Sequence, residues 1–264
     1  MPAALFFDVD GTLIDSYNGN RTITPTLMTE LKRLQGLSNK IFLSSGRSLR
    51  LMTPELLEPG FDGMVLINGG HVQVDGESIF EERMDLDLAY RTVAFLEERG
   101  CEYQIVTAGP IYTRRSNHVL REFFRFTDHG EIFTFDYDLD EVLPTAIKME
   151  AMVAREDRAR VTAEVTDVLG PAITYDSHGG EGTFELYPTA ISKAKGIDVV
   201  LDQLGIGLAD AYAFGDGTND LPMIEHCGYG IAMGNAEDVV KERADIVCAP
   251  VWEDGLARVL RELF

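Results

Sequence analysis

The segment Leu5-Phe6-Phe7-Asp8-Val9-Asp10-Gly11-Thr12 constrains the fold of this chain more than any other. A short apolar run ending in a carboxylate pair and a Gly-Thr turn predicts a buried parallel strand, Leu5 to Val9, that delivers acids at its C-terminal end. Residues i and i+2 of a strand point the same way. Asp8 and Asp10 therefore project together into the crevice where open α/β sheets bind ligands. Two carboxylates on one face repel unless a cation joins them, and Mg²⁺ is the natural third party, a hard ion that takes carboxylate, carbonyl, water and phosphate oxygens. The plain alternative is a solvated turn with incidental acids, which rarely follows a wholly apolar strand.

Strands and helices then alternate. Thr24-Pro25 opens a helix through Leu27, Leu31 and Leu34, Lys40–Leu43 is the next strand, and the loop Ser44-Ser45-Gly46-Arg47 leads to a second helix ending near Leu57. Gly63–Ile67 makes a third strand, and this βαβαβ order predicts a Rossmann-like α/β core, a parallel sheet covered by helices. After Glu82 the rhythm changes to a helix over 85–99, paired short strands near 102–107 and 110–114, a helix over 117–126, and strands and helices through Tyr187. That pattern predicts an inserted α+β unit. From Ser192 the alternation resumes, with a helix to Leu204, a strand Ala211–Phe214, a helix from Leu221, a strand Tyr229–Ala232 and a closing helix Trp252–Leu263. The expected division is a core of residues 1–82 and 187–264 and an insertion of residues 83–186.

Three more features sit where this core would gather them. Gly215-Asp216-Gly217-Thr218-Asn219-Asp220 follows an apolar strand and precedes a helix, and its acids can complete a metal site begun by Asp8 and Asp10. Alone it also suits an Asp-rich turn or a helix cap. Ser45, with Gly46 after it, offers a hydroxyl and backbone N–H groups to a phosphoryl oxygen, although Ser-Gly is also a common turn. Lys193 begins a helix, where an ammonium and the first amides favour an anion, although a lysine there is also an ordinary surface charge. Together, a carboxylate nucleophile, Mg²⁺, a neighbouring acid, a hydroxyl and a lysine describe phosphoryl transfer, which is mainly a problem of positioning and charge neutralisation.

DVDGT, the Ser45-Gly46-Arg47 turn, Lys193 and GDGTND resemble, in order, the four motifs of the haloacid dehalogenase superfamily of phosphatases. IFLSSGR, LINGG (Leu66 to Gly70), ISKAKGI and GDGTNDLPMI are similar to its Cof-type subfamily, whose insertion is a large C2 cap of the C2B type. One departure is Ser45, where Thr is more usual; the hydroxyl survives. The resemblance implies a Mg²⁺-dependent phosphatase that hydrolyses a small phosphate monoester, a sugar phosphate or similar metabolite, through an aspartyl-phosphate. By the same resemblance Asp8 attacks phosphorus, and Asp10 protonates the leaving oxygen and later activates water. Asp8, the Asp10 backbone carbonyl and Asp216 ligate the metal, with Asp220 in support and Asn219 near the phosphate. Ser45 and Lys193 neutralise the transferring oxygens, Gly46 adds a backbone amide, and Arg47 steadies the site. Spacing agrees on where the cap belongs: 35 residues separate Asp10 from Ser45, room for one helix and a strand, whereas 148 separate Ser45 from Lys193.

The rest of the chain narrows partners more than substrate. A formal charge of −21 would repel a phosphate backbone or an anionic lipid surface, so neither nucleic acid nor a membrane is expected. Cys101, Cys227 and Cys248 are odd in number and far apart, which fits a reducing cytoplasm. The expected partner is a small phosphorylated metabolite, bound by a monomer or small homo-oligomer. Within the insertion, Arg114, Arg115, Arg121 and Arg125, with His118, form a local basic stretch able to hold a second anionic group; a solvated helix face is the equal alternative. His178-Gly179-Gly180 reads as a substrate loop or a plain turn. Two rival functions remain at this point, a hexose-phosphate mutase similar to phosphomannomutases, which needs a bisphosphate activator, and a non-catalytic phosphate or metal sensor.

Overall fold

The computed structural model describes residues 2–125, 132–176 and 182–264. The chain forms fourteen strands among these residues: β1 (Ala4–Phe7), β2 (Lys40–Ser44), β3 (Gly63–Leu66), β4 (His71–Val74), β5 (Glu77–Glu81), β6 (Glu102–Val106), β7 (Ile111–Thr113), β8 (Phe133–Thr134), β9 (Lys148–Met152), β10 (Ile173–Asp176), β11 (Thr183–Pro188), β12 (Ala211–Gly215), β13 (Tyr229–Ala232) and β14 (Ile246–Val247). They build two sheets, of order β14-β13-β12-β1-β2-β3-β4-β5 and β10-β11-β9-β6-β7-β8.

In the first sheet β1 lies at the centre, parallel to β2 on one side and to β12 on the other, with Phe7 opposite Leu43 and Phe214. The apolar runs of β1, β2 and β12 are buried, as a sheet covered on both faces requires. On one face Ala4, Phe6, Phe42 and Val65 pack against Ile197, Val200 and Leu201 of helix Lys193–Leu204 and Met223 and Ile224 of helix Leu221–His226. Helix Pro25–Gly36, capped by the Thr24 hydroxyl, buries Leu27, Leu31 and Leu34 and pairs with helix Gly255–Leu263. Buried Glu30 joins these two helices through Arg261 at 2.7 Å, and Arg33, paired with Glu30 at 2.7 Å within the same helix, donates across to the Leu260 carbonyl at 3.0 Å.

The sheet is mixed where the sequence reading expects only parallel pairing. After β3 the chain turns back through β4, antiparallel to β3, and β5 follows at the edge. Both reversals are local: Ile67, Asn68 and Gly69 take positive φ of 53°, 55° and 101° between β3 and β4, and Asp75 and Gly76 take 51° and 83°, the conformation of a tight hairpin turn, between β4 and β5. The expected helix up to Leu57 is only a 3₁₀ turn, Leu49–Leu51, and a four-residue helix, Pro54–Leu57. Residues 155–169 form two helices, Arg155–Ala163 and Val165–Leu169.

The chain divides into two compact units, one of Met1–Arg47, Met52–Phe80 and Ser192–Phe264, the other of Ser48–Leu51 and Glu81–Ile191. The return boundary falls after Ile191 rather than after residue 186, because β11 runs on to Pro188, which pairs with Ile173 of β10. The second unit packs its sheet, antiparallel except for the β7–β8 pair, against helices Leu86–Glu98, Arg155–Ala163 and Val165–Leu169. Tyr103, Ile105, Met149, Ala151, Phe184 and Leu186 enter that core. His178-Gly179-Gly180 lies outside the described residues.

Candidate active site

The ends of β1 and β12, the loop after β2 and the start of helix Lys193–Leu204 meet in the first unit. Asp8 follows β1 directly, and its N–H donates to the Phe214 carbonyl at 2.9 Å, so the sheet itself fixes the first acid. The chain then folds tightly, with Leu13 and Ile14 donating to the Val9 carbonyl and Gly11 to that of Ile14. Gly11 sits at φ +83°, and a Cβ there would lie 2.2 Å from Asp216 Oδ2. No side chain fits. Gly11→Ala should cost about 1–3 kcal/mol in backbone strain and displace Asp216, read as a lower urea midpoint together with weakened Mg²⁺ binding in a calorimetric titration.

Lys193 is fully buried, with Nζ 2.6 Å from Asp8 Oδ1 and 2.5 Å from Asp220 Oδ1. The other Asp220 oxygen accepts from the N–H groups of Asp216 and Gly217 at 2.8 and 3.0 Å. Asp220 is thus a brace between lysine and loop. Asp216 is held by the Thr12 hydroxyl at 3.3 Å and the Asn235 amide at 3.3 Å, and Asn235 also donates to the Gly11 carbonyl at 2.8 Å. Asp10 is clamped by Arg47, whose Nε and Nη2 donate to its two oxygens at 2.8 and 2.6 Å. The Ser45 hydroxyl accepts from the Arg47 N–H at 3.2 Å, and the Asn219 amide donates to Asn68 Oδ1 at 3.1 Å beside Gly46.

The electrostatics separate the acids. Burial, reinforced by Asp220 and opposed by Lys193, pushes the Asp8 carboxyl up to about 7. Burial and the charges of Asp8 and Asp220 push Asp216 up to about 8. Burial would raise Asp10 as well, but the Arg47 charge and its hydrogen bonds bring it below the usual carboxylate range. For Lys193 burial favours the neutral amine, while Asp220 and Asp8 overcome it and hold the ammonium above its ordinary range. Ligand oxygens of Asp8, Asp216 and Asp220 lie within 4.8 Å of one another. Three buried carboxylates with one buried ammonium leave excess negative charge on hard oxygen donors, so the donor set fits a small divalent cation.

The structure brings together Asp8, Asp10, Ser45, Gly46, Arg47, Lys193, Asp216, Asn219 and Asp220. Arg114, Arg115 and His118 are exposed and belong to the second unit. Arg114 pairs with Glu97 of helix Leu86–Glu98 and stands 5.6 Å over the Tyr103 ring; Arg115 pairs with Asp136 at 2.5 Å. Sequence reasoning missed Asn68 and Asn235. Asn68 has φ 55° beside Ile67 at φ 53°, and Asn is the non-glycine residue best suited to that region, so the Asn-Gly-Gly run is a legible signal. Asn235 acts from a distant loop and carries none.

The sequence pattern of the haloacid dehalogenase-like hydrolases matches residues 5–260. The chain belongs to this family. YkrA of Bacillus subtilis, which carries a provisional phosphatase name, is 32% identical over 98% of this chain and 96% of its own. The 5-amino-6-(5-phospho-D-ribitylamino)uracil phosphatase YitU of the same organism is 27% identical over 100% and 98%. Among solved structures, the subclass IIB sugar phosphatase BT4131 superposes with a TM-score of 0.85, at 27% identity over 98% of each chain. This hydrolase is therefore a phosphatase acting on phosphoric monoesters, with the α/β core of its family. No helix among its described residues is long and apolar enough to cross a membrane.

Proposed function

We propose that this phosphatase hydrolyses a small, polyhydroxylated phosphate monoester in two steps, with Asp8 as nucleophile and Mg²⁺ as cofactor. The observation that carries this reading is the Asp8–Lys193–Asp220 chain at the end of the central strand. It sets a carboxylate and an ammonium side by side, with Lys193 Nζ 2.6 Å from Asp8 Oδ1. Asp8 forms the new bond to phosphorus and the ester oxygen departs, taking a proton from Asp10. In the second step Asp10 takes a proton from water, which displaces the Asp8 oxygen and releases phosphate. The Arg47 clamp favours ionised Asp10, the form needed in the second step. The first step requires Arg47 to release one of its contacts. Lys193, the Ser45 hydroxyl and the Gly46 amide neutralise the transferring oxygens, and Asn219 stands beside them. Asp8, the Asp10 carbonyl and Asp216 would hold Mg²⁺, which when bound supplies positive charge to the phosphoryl group. Arg114, Arg115 and His118 are secondary candidates for a second anionic group.

Phosphate release from p-nitrophenyl phosphate and sugar phosphates, with Mg²⁺ and with EDTA, tests the reading. Activity should vanish with EDTA and return with Mg²⁺. Asp216→Ala should weaken Mg²⁺ binding at least tenfold, and Ser45→Ala should leave it within about twofold while raising KM. Equal Mg²⁺ affinity in Asp216→Ala and wild type contradicts the assignment. Protons compete with the metal at Asp8 and Asp216, whose raised values of about 7 and 8 place the competition near neutrality. Mg²⁺ affinity should therefore rise between pH 6 and 8, with proton release on binding measured by calorimetry in buffers of different ionisation heat.

A further inference from the structure

The chain doubles back as soon as the central strand of the first unit ends. Gly11 donates to the Ile14 carbonyl at 2.8 Å and Asp10 bridges to Ile14, which returns residues 15–20 alongside the acids. The Ser16 hydroxyl donates to the Asp10 carboxylate. Buried Asp15 accepts the Asn18 side-chain amide at 3.0 Å on both oxygens, and its carbonyl accepts the Asn18 and Asn20 N–H groups at 3.2 and 3.0 Å. Gly19, at φ 81°, donates to the Ser16 carbonyl at 3.0 Å and closes the turn.

Tyr17 stands at the tip of this turn. At 75% exposure it is the most open of the large apolar side chains among the described residues, and among them its side chain makes no hydrogen bond or ring contact. Desolvation by the protein around it, then the charges of Asp216, Asp8, Asp10 and Asp220, hold its hydroxyl above the ordinary phenol range. Four carboxylates act on one hydroxyl because it stands over the crevice they line. The crowding comes from the walls of that crevice, since the ring itself is open to solvent.

A turn braced this closely has no need of a ring at its tip. An aromatic side chain removes apolar area from water only when something covers it. The acids below take the phosphoryl group and its metal, so what can cover a ring at the rim is the part of the ester beyond phosphorus. A flat, uncharged face suits a planar or CH-bearing carbon skeleton, and a leaving group of one or two carbons offers it little area.

We propose that the Tyr17 ring is a platform on which the leaving group of the ester rests, favouring alcohols and phenols with a broad carbon face over very small leaving groups. This deepens the phosphatase reading above and rests on it. All the groups it uses belong to the first unit. Phosphate release from phenyl phosphate and from acetyl phosphate, in wild type, Tyr17→Phe and Tyr17→Ala, tests it. The side chain is exposed, so neither variant leaves a cavity. The ratio of kcat/KM for phenyl phosphate to that for acetyl phosphate should fall roughly five- to twentyfold in Tyr17→Ala, with the loss in KM, because stacking holds substrate and transition state alike. Tyr17→Phe keeps the ring and should restore the wild-type ratio. Inhibition by inorganic phosphate, which has no leaving group, should be the same in all three. A ratio within twofold of wild type in Tyr17→Ala overturns the platform. So does an equal fall in Tyr17→Phe, which puts the effect in the hydroxyl, or a matching loss of phosphate inhibition in Tyr17→Ala, which moves the contact to the phosphoryl group. A wild type that releases phosphate from neither ester overturns the phosphatase reading itself.

Discussion

Asp8→Asn should lower turnover roughly 10³-fold or more while leaving the protein folded. In the proposed mechanism the carboxylate at the end of β1 is the group that bonds to phosphorus, and an amide at the same place cannot form an acyl phosphate. Wild type quenched during turnover should carry phosphate that hydroxylamine removes, and the variant should carry none. Normal turnover by Asp8→Asn, or a hydroxylamine-resistant phosphoenzyme, would falsify the assignment. The same substitution has a stability signature. The raised Asp8 value means that the metal-free folded state keeps a proton the unfolded chain gives up near pH 4. The stability this provides is fully present at low pH and is lost as pH rises through about 7. Without Mg²⁺ at pH 8, Asp8→Asn should therefore melt above wild type, with the gap closing toward pH 5.

Lys193→Met should be the most damaging single change in the core. The ammonium is the one countercharge within hydrogen-bond reach of both Asp8 and Asp220 among the described residues, and all three side chains are buried. Removing one partner of a buried cluster costs about 3–5 kcal/mol because the remaining charges are stranded. The loss should be greatest at pH 8 without Mg²⁺ and smaller at pH 6, where Asp8 and Asp216 can protonate. Mg²⁺ should restore part of the stability but not the activity, since the proposed mechanism sets the Lys193 ammonium against the phosphoryl oxygens. Denaturant titrations at the two pH values, with and without Mg²⁺, measure this; a loss independent of both would mean that Lys193 acts by packing alone.

What the sequence made legible follows from how locally each feature is encoded. Strands β1, β2 and β12 are continuous apolar runs ending in polar loops, and the loops carry the reacting groups, so strand and site are read together. The hairpin of β4 and β5 was as local, since Asp75-Gly76 lies between strand-like segments, but the eye follows the parallel rhythm past it. Partnerships across the chain were not legible. Nothing near Asn235 marks it as a ligand of the Gly11 carbonyl, and nothing near Thr12 marks its bond to Asp216. The same holds in the second unit. Lys148, Glu150 and Glu185 look like scattered surface charges until strand register aligns them, whereas Arg114 and Arg115, adjacent and conspicuous, already pair with Glu97 and Asp136.

The placing of β1 sets a problem for synthesis. Its neighbour β2 follows it within some forty residues, but the other neighbour, β12, begins only at Ala211. Until then one edge of this fully buried apolar strand has no mate, and an unpaired edge of that kind invites pairing with other nascent chains. The second unit, whose strands all lie between Glu102 and Pro188, can finish folding during that interval. The reacting groups therefore assemble only after the second unit has been made, when the segment carrying Lys193, Asp216 and Asp220 closes the sheet, and a chain cut short before Ala211 should be trapped by holdase chaperones or aggregate.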